Sequence, residues 1–106
     1  MIPELSAEAL RDELASSNPP RILDVREVEE LGISRLDELV HVPMDQLHVK
    51  MAGLDKEADW VVVCRSGKRS GMVTQFLLAS GFKKVRNLEG GMNAWATKVD
   101  RTKLVY

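Results

Sequence analysis

Hydrophobic and polar positions change period several times along the chain, and each change marks an element. Trp60-Val61-Val62-Val63 is an apolar run without polar interruption, the pattern of a strand buried on both faces at the centre of a parallel sheet. From Ser70 the spacing becomes helical: Met72, Val73, Phe76, Leu77 and Ser80 fall on one face, and Gly81 stands where a left-handed cap ends a helix. Upstream, Ile2-Pro3-Glu4-Leu5 reads as a short extended segment and Ser6 as an N-cap. Ala7, Leu10 and Leu14 then form a modest apolar stripe, which Asn18-Pro19-Pro20 terminates because two prolines cannot continue a helix. Arg21 to Val25 is the first core strand, followed by a short helix over Glu27 to Leu31. Leu47, Met51 and Leu54 recur at helical spacing, which predicts core-packing helix between Met44 and a stop at Gly53. Asp55 to Asp59 is a charged surface connection, Lys84 to Asn87 a short strand, and Glu89-Gly90-Gly91 a turn needing positive φ before a helix over Met92 to Ala96. Alternating strands and helices on short loops predict an α/β fold with a mostly parallel central sheet and helices on both faces. The tail, Val99 to Tyr106, carries no assignable pattern.

Length and charge narrow the function classes. The 106 residues suffice for one domain spanning 1–106, which buries about 65% of the surface its unfolded chain exposes. Fifteen basic residues against sixteen acidic ones leave a net charge of −1, so no long-range field marks the chain for nucleic acid or a membrane surface. One cysteine excludes an internal disulfide, and neither a signal peptide nor an apolar run of spanning length is present, which predicts a cytoplasmic protein. His41 and His48 have no partner at metal-ligand spacing, so no metal and no cofactor is expected.

The lone cysteine changes the picture most. Cys64 follows the central strand directly and opens the loop Arg65-Ser66-Gly67-Lys68-Arg69, which leads through Ser70 into the helix. A loop between a strand's carboxyl end and a helix N-terminus turns its backbone N–H groups inward and forms an anion cradle. Arg65, Lys68 and Arg69 add three positive charges, and Ser66 and Ser70 add hydroxyl donors. Cationic neighbours and a helix N-terminus both favour thiolate, so Cys64 reads as a nucleophile, whereas a cysteine that merely fills a core rarely leads into so polar a loop. Asp24 and Arg26, at the carboxyl end of the first core strand, admit two readings: an ordinary strand-end ion pair or helix cap, or a role near the cysteine.

Cys64-Arg65-Ser66-Gly67-Lys68-Arg69-Ser70 after a valine strand resembles the active-site loop of the rhodanese-like sulfurtransferases. Ile22-Leu23-Asp24-Val25-Arg26-Glu27 is similar to that family's strand ending in Asp-Val-Arg, and Val40-His41-Val42-Pro43 to its later strand ending in Pro. Gly81-Phe82 with Val85, and Asn87-Leu88-Glu89-Gly90-Gly91-Met92 with Trp95, resemble its closing strand, double-glycine turn and tryptophan-bearing helix. The resemblance implies a rhodanese-like fold and a cysteine that takes sulfane sulfur from a donor, holds it as a persulfide and passes it on. It also locates a departure: Ser34-Arg35-Leu36-Asp37-Glu38-Leu39 lacks the family's glycines and proline, which frees this charged stretch to run as extra helix before the strand at Val40.

Three functions compete on these residues. In a thiosulfate sulfurtransferase, Cys64 carries the sulfur while Arg65, Ser66, Gly67, Lys68, Arg69 and Ser70 bind the donor. A cysteine phosphatase or arsenate reductase needs five residues between cysteine and arginine, and Cys64 and Arg69 enclose four, a narrower ring better suited to a sulfur atom. A non-enzymatic interaction module on the same fold has no need of the cysteine. A nucleotide-binding P-loop is excluded, because Arg69 follows Gly67-Lys68 and no glycine stands five residues earlier. Relatives that act on mercaptopyruvate resemble one another in a Cys-Gly-Ser-Gly-type loop and an arginine on the helix after the first core strand. This chain has Arg65 in the loop and Glu29 and Glu30 on that helix, so thiosulfate or a persulfide is the expected donor, with cyanide, a thiol or a sulfur-carrier protein as acceptor.

Overall fold

The computed structural model describes residues 2–106. The apolar run forms β4 (Asp59–Val63), which lies in a sheet with β1 (Glu4–Leu5), β2 (Arg21–Asp24), β3 (Leu39–His41) and β5 (Lys84–Leu88). The order is β1-β5-β4-β2-β3 and every neighbouring pair is parallel, so the strands' carboxyl ends share one edge. Five helices connect and cover them: α1 (Ala7–Leu14), α2 (Val28–Leu31), α3 (Leu47–Lys50), α4 (Lys68–Ala79) and α5 (Gly91–Lys98). This is the α/β architecture that the alternating pattern predicts.

Strand periodicity divides the core in two. Trp60, Val62 and Cys64 face one side with Leu23, Val25 and Val85, and pack against Leu47 of α3 and Val73 and Leu77 of α4. Val61 and Val63 face the other side with Ile22 and Leu88, against Leu10 of α1 and Met92 and Trp95 of α5. Each fully buried aliphatic side chain here is worth about 1.5–3 kcal/mol, so the central strand, loaded on both faces, fixes where Cys64 emerges. No helix among the described residues is long and apolar enough to cross a membrane.

Several expectations need correction. Helix α4 begins at Lys68 rather than Ser70, because Gly67 adopts a left-handed φ of 96° as its cap and releases Lys68 and Arg69 into the first turn. The connection after Cys64 therefore shrinks to Arg65–Gly67. The buried stripe of α4 is Ser70, Val73, Thr74 and Leu77, with Met72 and Phe76 substantially exposed. Helix does not form over Ser34–Leu39: Leu36 is buried against the α1 and α5 side, the Ser34 carbonyl accepts from Arg26 at 2.8 Å, and Glu38 has a φ of 52°. Met44 to Gly53 is three successive short turns, α3 flanked by 3₁₀ turns at Met44–Gln46 and Met51–Gly53, with only Leu47 fully buried. The unassigned tail packs, with Val99 and Tyr106 against the second core cluster.

Candidate active site

Cys64 sits at the carboxyl end of the central strand, 1% exposed. Gly67 turns the chain so that its own N–H donates to Cys64 Sγ at 3.1 Å. A Cβ at Gly67 would crowd the Gly90 nitrogen at 3.2 Å and the Leu88 carbonyl at 3.3 Å, so glycine answers both to the φ and to the packing. From the first turn of α4, Ser70 donates its N–H to the sulfur at 3.4 Å and sets its hydroxyl 3.2 Å away. The loop is held from outside by a second helix N-terminus: Met92 and Asn93 of α5 donate their N–H groups to the carbonyls of Cys64 and Arg65 at 2.9 and 3.0 Å. Gly91, φ 60°, makes that approach feasible, since a Cβ there would collide with both carbonyls.

Burial pushes the thiol up, but the donors a thiolate can draw on, the Ser70 hydroxyl first and then the amides of Ser70, Gly67 and Ser66, outweigh it, so the thiol lies below its ordinary value. Beneath the sulfur a buried polar chain continues. The Ser70 hydroxyl donates to Asn87 Oδ1, and Asn87 Nδ2 donates to the Gly67 carbonyl at 3.0 Å and to Glu4 Oε2 at 2.9 Å. The register of β1 with β5 sets Glu4 opposite Asn87, which brings these side chains together.

The three cations of the sequence separate. Arg69 forms a two-pronged ion pair with Glu30 of α2 at 2.7 and 2.8 Å. This bond, opposed by burial and helped by the Glu27 amide and the Tyr106 hydroxyl, holds the Glu30 carboxyl down at about 2. Arg69 also lies close enough to Cys64 for the two charges to reinforce each other. Lys68 is exposed and enters no ion pair among the described residues, and Arg65 is exposed with its guanidinium 5.9 Å from the Tyr106 ring centre. Ser66 is exposed at the loop's tip and acts through its amide.

Asp24 and Arg26 are both fully buried and close on each other, with Arg26 Nη2 2.8 Å and Nε 2.9 Å from the carboxylate. Of the two readings left open, the ion pair is what forms. Its reach toward the cysteine is indirect: Arg26 donates to the Tyr106 hydroxyl at 2.7 Å, and that hydroxyl donates to Glu30, the partner of Arg69. His41 is not free either, with Nε2 2.7 Å from the Arg26 carbonyl. Sequence reasoning assigned no part here to Glu4, Asn87, Asn93 or Tyr106. Asn87 alone carried a signal, since asparagine is depleted in strands and one inside a strand pattern points to a specific partner. Tyr106 lies in a tail without pattern.

The rhodanese-like domain model matches residues 6–98. The protein YtwF of Bacillus subtilis, provisionally named a sulfurtransferase, is 42% identical over 94 residues, covering 89% of this chain and 90% of its own. The thiosulfate sulfurtransferase GlpE of Pseudomonas fluorescens is 31% identical over 96 residues, 91% of this chain and 84% of that one. Among solved structures, a rhodanese-like domain protein from Staphylococcus aureus superposes with a TM-score of 0.83 at 32% identity, over 89% of this chain and 91% of its own. The family model spans most of the chain and a relative of similar length is 42% identical, and the chain belongs to the rhodanese-like domain family.

Proposed function

We propose that the chain is a sulfurtransferase whose Cys64 carries sulfane sulfur between a thiosulfate or persulfide donor and a thiophilic acceptor. The observation that carries this reading is the pair of backbone amides aimed at one sulfur at the start of α4, Gly67 at 3.1 Å and Ser70 at 3.4 Å. They favour the thiolate, which attacks the outer sulfur of the donor. With thiosulfate, the Sγ–S bond forms as the S–SO₃ bond breaks, and sulfite leaves with the bonding electron pair. The negative charge then rests on the outer persulfide sulfur, where amides at the N-terminus of α4 stabilise it. A cyanide, thiol or sulfur-carrier protein then removes that sulfur and regenerates the Cys64 thiolate. Lys68, in no ion pair among the described residues, and Arg65, which rests against Tyr106, are the exposed cations that would meet an anionic donor.

Intact mass after incubation with thiosulfate tests the chemistry: a gain of about 32 Da on Cys64 is expected, discharged by cyanide. Cys64→Ser is expected to fold and to lose both the mass gain and thiosulfate:cyanide turnover, since oxygen forms no persulfide. Substantial turnover by the folded serine variant would refute the mechanism.

A further inference from the structure

The Ser70 hydroxyl has one proton and two neighbours that can take it. Cys64 Sγ lies 3.2 Å away and Asn87 Oδ1 closer still, and all three residues are at most 2% exposed. The amide of Asn87 has only one workable orientation. Its nitrogen faces the Gly67 carbonyl at 3.0 Å and the Glu4 carboxylate at 2.9 Å, both acceptors, so a flipped amide would set oxygen against oxygen twice. Oδ1 must therefore face Ser70, and since it can only accept, the hydroxyl proton is drawn toward it.

We infer that Asn87 is a positioning residue that withholds the Ser70 proton from the Cys64 sulfur. While the sulfur is a thiol, Ser70 donates to Asn87 and offers the thiol a lone pair. Ionisation creates a conflict. Either the hydroxyl turns to the thiolate and leaves a buried amide oxygen without a donor, or it stays and sets its lone pair against the anion. Either outcome makes the thiolate more basic than a free Ser70 would leave it, and a more basic thiolate is the stronger nucleophile. The catalytic meaning rests on the sulfur-transfer reading: once Sγ is bonded to a second sulfur, its charge moves outward and the Ser70–Asn87 bond is restored. Asn87 thus favours the sulfur-loaded cysteine over the bare thiolate. The charged groups around the sulfur are Glu4 of β1, the closed Asp24–Arg26 pair after β2, Glu30 of α2, Arg65 in the loop, and Lys68 and Arg69 of α4. Asn87→Leu keeps every one of these charges and releases only Glu4 from its side-chain partner.

The sign of the effect separates this role from a structural one. The Gly67 carbonyl keeps its helical bond from the Gly71 amide without Asn87, so the loop has a second anchor. In Asn87→Leu, iodoacetamide alkylation followed against pH is expected to report a Cys64 pKa lower by about half to one unit. The shift should vanish when the same change is made in Ser70→Ala. A variant that only loosened the cradle would lose amide bonds and shift the pKa upward, and an upward or absent shift overturns the inference. The wild-type protein supplies a check that needs no folded variant: the side-chain amide signals of Asn87 are expected to titrate with Cys64, and signals indifferent to thiol ionisation equally overturn it. Neither readout uses a sulfur donor. Absence of thiosulfate loading alongside the downward shift removes the sulfurtransferase reading and leaves Asn87's control of the thiol standing.

Discussion

Lys68 and Arg69 are adjacent in sequence and opposite in circumstance: one is free in solvent, the other bound at both nitrogens to Glu30. Losing an exposed charge costs little, so Lys68→Ala is expected to raise KM for thiosulfate about two- to fivefold. That penalty should shrink with added salt, which screens the field beyond about 8 Å at physiological ionic strength. Arg69→Gln removes one positive charge and also uncovers the Glu30 carboxylate beside the cradle. Its KM is expected to rise further, and the double change Glu30→Gln/Arg69→Gln to recover most of the loss. Steady-state kinetics of the three variants at two salt concentrations decide this, and a double variant no better than Arg69→Gln would show that Glu30 is not the cause. The charges themselves were legible in the sequence. Their pairing was not, because Glu30 lies 39 residues away and no local pattern records which cation it reaches.

At the scale of elements, the site is a meeting of two helix starts. The N-terminus of α4 serves the sulfur and that of α5 serves the loop's carbonyls, so their distance apart sets the cradle's shape. Gly91→Ala forces them apart. It is expected to destabilise the fold by about 1–3 kcal/mol, visible as a lower urea midpoint, and to cut persulfide loading in the fraction still folded. The glycine pair was readable as a turn needing positive φ, but its closeness to the loop is a tertiary fact. Ser34 to Leu39 shows the same limit from the other direction: its charges suit a helix, yet the buried Leu36 and the Arg26 bond to the Ser34 carbonyl hold it irregular. The parallel strands were legible because the apolar run of β4 and its alternating faces leave little choice of architecture.

For the whole molecule, two partly buried ion pairs between elements set the acid limit. Glu30 is held at about 2, first by Arg69, against an ordinary value of 4.5, and Glu13 is lowered by its bonds to Arg86. A carboxyl whose folded value is depressed contributes stability that is complete above its unfolded value and lost as pH falls through the folded one. For Glu30 that window runs from about 4.5 down to about 2. The wild type is therefore expected to lose stability over this range by on the order of 2 kcal/mol more than Glu30→Gln. Urea titrations of both at pH 6 and pH 3 measure the difference, and parallel losses would mean that the pair adds nothing. Tyr106 belongs to this scale too. It joins the tail to Arg26, Glu30 and Arg65, a bond set spanning up to 80 residues of sequence that no periodicity could announce.

Strand β1 is two residues long and lies at the sheet's edge, fastened through β5 by the Asn87 amide to the Pro3 carbonyl and the Glu89 amide to the Leu5 carbonyl. Such an edge opens locally at far lower free energy than the fold as a whole. Its opening withdraws Glu4 from the Asn87 side chain and leaves the Gly67 carbonyl as the one acceptor still holding that side-chain amide in its orientation. The reactivity of the Cys64 thiol is thus tied to the fraying of a two-residue edge strand, so warming or mild denaturant is expected to change it while the rest of the sheet is still intact.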